Sequence, residues 1–205
     1  MGKPETVRTL AAAFLATTLA LGSMPEAYGQ AAPAPGGGTT TGIATGSGGG
    51  LMDTPTPTDY LTRSIVRNIN AASAECAAYE PVYRIDCLRQ RLLDIARRIP
   101  KGKAYDEARQ IVQRAAGRLG RIQAANLDAK APRMRSRGNA RMKETKTYTA
   151  IRKRNLEKAM EAARQVIEEA QTQLLRASEN SEKRASHYRD IAAAVGSTKV
   201  LLRSI

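Results

Sequence analysis

Residues 156–177 read LEKAMEAARQVIEEAQTQLLRA. Apolar side chains recur in this stretch at alternating spacings of four and three residues, the pattern that places them on one face of an α-helix. The small alanines on that face allow close approach of an antiparallel neighbour. We call this face the seam, and it consists of Leu156, Met160, Ala163, Ile167, Ala170, Leu174 and Ala177.

The seam is embedded in a long segment without helix breakers. Neither Pro nor Gly occurs between Gly138 and Gly196, and the same apolar phase extends weakly to Val195. One continuous helix over residues 147–195 would be about 74 Å long at 1.5 Å per residue. We expect such a helix to project beyond its neighbours or to pair with a second copy. A break at residues 178–181 is the alternative.

Three shorter amphipathic helices are predicted ahead of the seam. The first begins near Thr58, the second at Pro81 and the third near Ala104, and each carries apolar residues three and four positions apart. Helices of this kind bury their apolar faces against one another. The sequence therefore predicts an all-α fold, an antiparallel helical bundle or coiled-coil-like domain over residues 59–205 with one long C-terminal helix.

The only two cysteines, Cys76 and Cys87, lie near the end of the first predicted helix and the start of the second. A disulfide between them would staple an antiparallel pair of helices. Closing that loop stabilises a fold by about 3 kcal/mol in the chain-entropy model. Two free buried thiols or bridges between chains are the alternatives.

The N-terminus has the layout of an export signal. Lys3 and Arg8 precede an apolar run at residues 9–22, and small residues stand just before Gln30. We expect a signal peptide over residues 1–29, cleaved before Gln30, and a periplasmic or secreted mature protein. A buried N-terminal helix and an uncleaved anchor are the alternatives. No transmembrane segment is expected after cleavage.

Residues 30–58 consist mostly of Ala, Pro, Gly and Thr, with Asp53 as their one charged residue. Such a composition cannot bury enough apolar surface to offset the entropy of ordering the chain. We expect this segment to be a disordered linker between the signal peptide and the helical domain.

The positive charge of the chain is concentrated in residues 128–158, which hold eleven basic and three acidic residues, a net charge of +8. Pro132 and Gly138 interrupt this segment and favour a loop whose guanidinium groups adapt to phosphates or carboxylates. A solvated basic loop without a ligand is the alternative. The candidate anion-binding residues are Lys130, Arg133, Arg135, Arg137, Arg141, Lys143, Lys146, Arg152, Lys153 and Arg154.

The sequence offers little material for catalysis. His187 is the only histidine, and Asp190 on the same helix face does not complete a catalytic set with it. We find no nucleophile elbow, phosphate-binding glycine loop or metal-ligand cluster. We therefore expect no enzymatic activity, no cofactor and no metal. Nucleic-acid binding is not expected either, because Tyr148 is the one aromatic residue in the basic segment available for base stacking.

Two hypotheses about function follow from these patterns. The leading one is an exported, non-enzymatic helical interaction or structural protein that uses the seam to bind a protein partner or a second copy of itself. The alternative is a polyanion-binding module of the cell envelope that acts through residues 130–158, with an anionic polymer or lipid as its partner.

Overall fold

The structure is a computed structural model that describes residues 57–203. The signal peptide predicted over residues 1–29 lies outside the described residues. So does the linker predicted over residues 30–58, except for its last two residues.

The described chain is predominantly helical, which confirms the predicted all-α fold. Five α-helices account for most of it, and a ribbon of two short strands connects the third helix to the fourth. Short 3₁₀ helices at Lys153–Asn155 and Thr198–Leu202 flank the last two α-helices. The elements are α1 Asp59–Ala77, α2 Pro81–Arg98, α3 Asp106–Ala125, β1 Met134–Arg135, β2 Thr147–Tyr148, α4 Leu156–Glu179 and α5 Glu182–Ser197.

The helix ends follow local chemistry. The hydroxyl of Thr58 accepts a hydrogen bond from the backbone N–H of Leu61 and so caps α1. Pro81 is the first residue of α2, where its missing N–H costs nothing. Arg97 and Arg98 lie in the last turn of α2, where positive charge interacts favourably with the helix dipole.

The expectation of one continuous C-terminal helix is wrong. The helix α4 ends at Glu179, and α5 begins at Glu182 and packs against α4 and α1. Ser181 between them has an extended backbone, with φ −163° and ψ 118°. The apolar phase explains the break, because Ser181 and Arg184 would occupy the next two seam positions. With polar residues at these positions, a helix that continued straight would have no apolar side chains to bury there. The change of direction between α4 and α5 instead buries the apolar residues of α5.

The seam is covered by other helices of the same chain. All seven of its side chains are at most 8% exposed, and α4 packs against α3 and α5. Ala163 and Ala170 alternate with the larger Met160, Ile167 and Leu174, so the neighbouring helices interdigitate with the seam. The predicted coiled-coil-like face therefore serves as the core of a self-contained bundle.

Gly117 lies inside α3 with its Cα facing open space, since a Cβ added there would meet nothing within 4 Å. Replacing Gly117 by alanine is expected to raise the free energy of unfolding by about 1 kcal/mol, because alanine loses less backbone entropy in a helix. Urea denaturation followed by circular dichroism measures the change. Gly120→Ala should gain less, since its Cβ would lie 3.0 Å from Cδ of Arg89. An unchanged or lower stability for Gly117→Ala would contradict the prediction.

Candidate anion-binding surface

The basic segment forms an antiparallel ribbon held against α1 and α2. Met134 pairs with Tyr148 and Arg135 with Thr147. Nearer the ends of α3 and α4, Leu127 forms an isolated bridge with Ile151. The segment that Pro132 and Gly138 predicted to be a loop thus contains paired strands.

A buried carboxylate anchors this ribbon to the helices. Oε1 of Glu75 in α1 accepts hydrogen bonds from Nη2 of Arg91 at 2.7 Å, from Oγ of Ser136 at 2.7 Å and from the hydroxyl of Tyr148 at 2.9 Å. Arg91 is 0% exposed and Glu75 is 8% exposed, so the ion pair is removed from water. One oxygen atom therefore connects α1, α2 and both sides of the ribbon.

Arg91 extends the network to one further hydrogen-bond acceptor and to one further carboxylate. Its Nη2 also donates to the backbone carbonyl of Glu144 at 3.0 Å, and its Nη1 lies 3.5 Å from Oδ2 of Asp94. Burial disfavours the charged guanidinium, but the hydrogen bond to Glu75 and the nearby carboxylates outweigh it, so the pKa of Arg91 is raised. Burial also raises the pKa of the Tyr148 phenol, which keeps it protonated as a donor.

A second buried carboxylate fixes the return strand. Oδ2 of Asp86 accepts hydrogen bonds from both the backbone N–H and the hydroxyl of Thr149, each at 2.8 Å. Two residues before β1, the carbonyl of Pro132 accepts a hydrogen bond from the hydroxyl of Tyr83 at 2.9 Å. Residues of α2 thus hydrogen-bond to the segment before β1 and to the segment after β2, while other side chains of the ribbon are exposed to solvent.

The ribbon carries the three arginines that we call the arginine row, namely Arg133, Arg135 and Arg137. They stand at alternate positions and are exposed, while Ser136 between the last two is 2% exposed and bonds inward. Alternate residues of an extended strand project to the same side about 7 Å apart, and within the row the strand β1 includes only Arg135. Within residues 57–203 the three guanidinium groups have no hydrogen-bond acceptor and no carboxylate partner. The row is therefore free to bind anions.

Two of the predicted anion-binding residues have other contacts. Nζ of Lys146 lies 3.1 Å from Oδ1 of Asp94 and 2.9 Å from Oε2 of Glu144, and its side chain is 19% exposed. Its charge is thus balanced by two carboxylates of the protein, and its binding of external anions stays a prediction. Arg141 donates to Oδ1 of Asn68 at 3.1 Å, which ties the tip of the ribbon to α1.

The other predicted cations are exposed; Lys130 lies three positions before Arg133, and the rest follow the row along the chain. The backbone N–H of Arg152 donates to the carbonyl of Asn126 at 3.0 Å, so the cations at residues 152–154 lie beside the end of α3 and just before α4. Their exposure and charge add to the basic character of the segment. Besides Arg141, the exposed predicted residues outside the row are Lys130, Lys143, Arg152, Lys153 and Arg154.

The predicted disulfide is confirmed. Cys76 and Cys87 are bonded, with 5.6 Å between their Cα atoms, and both are 0% exposed. Cys76 directly follows Glu75, and Cys87 precedes Arg91 by one helical turn. The covalent bond therefore joins α1 and α2 next to the ion pair that anchors the ribbon.

His187 is a contact between helices. Its Nδ1 lies 2.9 Å from the hydroxyl of Thr62 in α1, and that hydroxyl lies 2.9 Å from the hydroxyl of Tyr105 ahead of α3. This chain of polar contacts holds α5 against α1. Among residues 57–203, no three His, Cys, Asp or Glu side chains are grouped as metal ligands would be, and no helix has the length and apolarity to cross a bilayer.

The sequence analysis did not identify the buried charged residues that hold the ribbon, and with it the arginine row, against the helices. We call these residues, together with Ser136 and Tyr148, the platform. Glu75, Asp86, Arg91 and Asp94 are all nearly buried, and each lies on an amphipathic helix that the apolar pattern did identify. A signal was present, because Arg91 shares its helix face with apolar residues three positions before and four after it. A charged residue on a core-facing stripe requires a buried partner.

Guanidinium groups are suited to phosphates and carboxylates, because their planar donors match two oxygens at once. Comparison with protein family models, with curated proteins and with solved structures returned no match for this chain. Its chemistry must therefore be inferred from the arginine row and from the buried network that holds it in place.

Proposed function

We propose that this protein is a polyanion-binding module of the cell envelope, and that the arginine row contacts repeated phosphate or carboxylate groups on its partner. The observation that supports the proposal is the alternation of Arg133, Arg135 and Arg137 on one exposed face without internal partners. Other basic side chains nearby, such as Lys146 and Arg91, are neutralised by carboxylates.

The platform beneath the row also favours binding. Ser136, between two arginines of the row, is fixed by its hydrogen bond to Glu75, and Tyr148 opposite Met134 bonds to the same carboxylate. A backbone that is already ordered loses less conformational entropy when a ligand binds. Three arginines on such a backbone form a preorganised site for an extended anionic surface.

Action outside the cytoplasm is part of the proposal. The buried disulfide between Cys76 and Cys87 is typical of proteins that mature in an oxidising compartment. The apolar run at residues 9–22 fits an export signal. The polyanions met there include lipid phosphates and anionic envelope polymers.

We do not propose that the protein associates with a partner through the seam. Binding a partner helix by the seam would require side chains such as Ile167 and Leu174, both 0% exposed, to leave the core. Exposing one such side chain costs roughly 1.5–3 kcal/mol. The seam therefore contributes stability to the bundle, whereas the exposed arginines are accessible to a partner.

The triple replacement Arg133→Ala/Arg135→Ala/Arg137→Ala tests the proposal. Sedimentation with phosphatidylcholine vesicles that contain phosphatidylglycerol, and retention by immobilised polyphosphate, measure binding. We expect the triple variant to bind at least about tenfold more weakly at low salt, because each lost guanidinium contact removes a charge-assisted interaction. Binding of the unchanged protein should weaken as salt is added.

The matched control is Arg121→Ala/Arg176→Ala/Arg189→Ala, which removes the same charge from exposed helical positions. It should retain most of the binding. The loss in the first triple variant would then depend on the position of the three arginines and not on the net charge of the protein. If the two triple variants bind equally, or if the first binds like the unchanged protein, the arginine row is not the binding site.

A further inference from the structure

A cleft of about 730 Å³ lies beside the arginine row, against the C-terminal end of α1. Small-molecule sites in proteins typically measure roughly 300–1,000 Å³. Ala74 and Ala78 line the cleft from the helix side, Tyr79 follows them, and Met134 lines it from the ribbon. These side chains give the cleft an apolar lining within a strongly basic surface.

Two members of the arginine row, Arg135 and Arg137, line the same cleft. Both side chains are exposed, and neither has a carboxylate partner among residues 57–203. An anionic group between them would accept charge-assisted hydrogen bonds, while a hydrocarbon chain in the cleft would be removed from water. Cationic groups beside an apolar cleft are complementary to an anionic amphiphile.

We propose that the cleft binds the alkyl chain of a single-chain anionic lipid whose head group contacts Arg135 and Arg137. This inference rests on the proposed function, since the same arginines bind the head group, and it specifies the ligand class. The protein would then hold a lipid by its chain as well as by its charge, whereas a purely electrostatic surface would bind any polyanion.

Two carboxylates line the cleft as well, and their effects differ. The charge of Glu75 is compensated by Arg91 at 2.7 Å, so it offers little repulsion to an anion. Glu80 is exposed and has no cationic partner within residues 57–203. Glu80→Gln is therefore expected to strengthen binding of an anionic amphiphile, while Arg135→Ala should weaken it.

Dodecyl phosphate, kept below its critical micelle concentration, is the probe, and inorganic phosphate is the probe without a chain. Isothermal titration calorimetry should show dodecyl phosphate binding at least about tenfold more tightly, because part of its chain is buried. Ala74→Trp fills the cleft from an exposed helical position and should remove this difference. Ala77→Trp is the control, since Ala77 is exposed on the same helix but does not line the cleft.

Retention by polyphosphate separates this inference from the proposed function. The inference is supported if Ala74→Trp loses the advantage of dodecyl phosphate, keeps its retention by polyphosphate, and Ala77→Trp loses neither. Equal affinity of the unchanged protein for dodecyl phosphate and inorganic phosphate would overturn it, and so would an undiminished advantage in Ala74→Trp. Either result leaves the proposed function standing, which fails only if loss of the arginine row leaves polyanion binding intact.

Discussion

Replacing Arg91 by alanine is expected to lower the free energy of unfolding by about 3–5 kcal/mol, because removing one partner leaves a buried charge uncompensated. The guanidinium of Arg91 is 0% exposed and lies 2.7 Å from Glu75 and 3.5 Å from Asp94. Without it, the carboxylate of Glu75 keeps only the hydroxyl donors Ser136 and Tyr148. Urea denaturation followed by circular dichroism gives the change.

Two further variants make this prediction specific. Arg121→Ala, at an exposed position of α3, should change the stability by no more than about 0.5 kcal/mol. The double variant Glu75→Gln/Arg91→Met should be less destabilised than the sum of its single variants, because it removes both charges of the pair together. A loss below about 1 kcal/mol for Arg91→Ala would show that the buried ion pair does not hold the ribbon.

The double variant Cys76→Ala/Cys87→Ala is expected to lose about 3 kcal/mol of stability through the greater entropy of its unfolded chain. The two cysteines are separated by 11 positions, and both side chains are 0% exposed, so some packing is lost in addition. Thermal and urea unfolding of the oxidised protein and the variant measure the difference.

Reduction provides the control for this second prediction. A reducing agent should lower the stability of the unchanged protein toward that of the variant once the buried bond becomes accessible by unfolding. The same agent should not affect the variant, which has no cysteine left. Equal stability of the oxidised protein and the variant would show that the bond does not constrain the unfolded chain to a measurable extent.

The helical framework could be predicted because its signal is local. Residues three and four apart in α1, α2 and α4 mark their buried faces, and Thr58 and Pro81 mark two helix starts. The break after Glu179 was harder to predict, because no Pro or Gly marks it. The break depends on Ser181 and Arg184, two polar residues at positions where the helical pattern would place buried apolar side chains. It also depends on the apolar residues that α5 buries because the chain changes direction after α4.

The candidate site shows the opposite situation. Counting charges located the basic segment, but the segment owes its shape to residues far away in sequence. Glu75 is 61 positions from Ser136 and 73 from Tyr148, and Asp86 is 63 from Thr149. No local pattern reports such pairings, and strands of two residues carry almost no periodicity. The alternation of Arg133, Arg135 and Arg137 is visible in the sequence. It places the three side chains on one side of the chain only where the backbone is extended, which the sequence does not show.

The shared carboxylate of Glu75 also implies an order of assembly. The pairing of α1 with α2 closes a short loop of 11 positions, whereas the ribbon reaches Glu75 across 61 and 73 positions. Contacts of large sequence separation form late, because loop closure costs entropy before the contact rewards it. We therefore expect α1 and α2 to pair before the ribbon, with the arginine row, docks against Glu75.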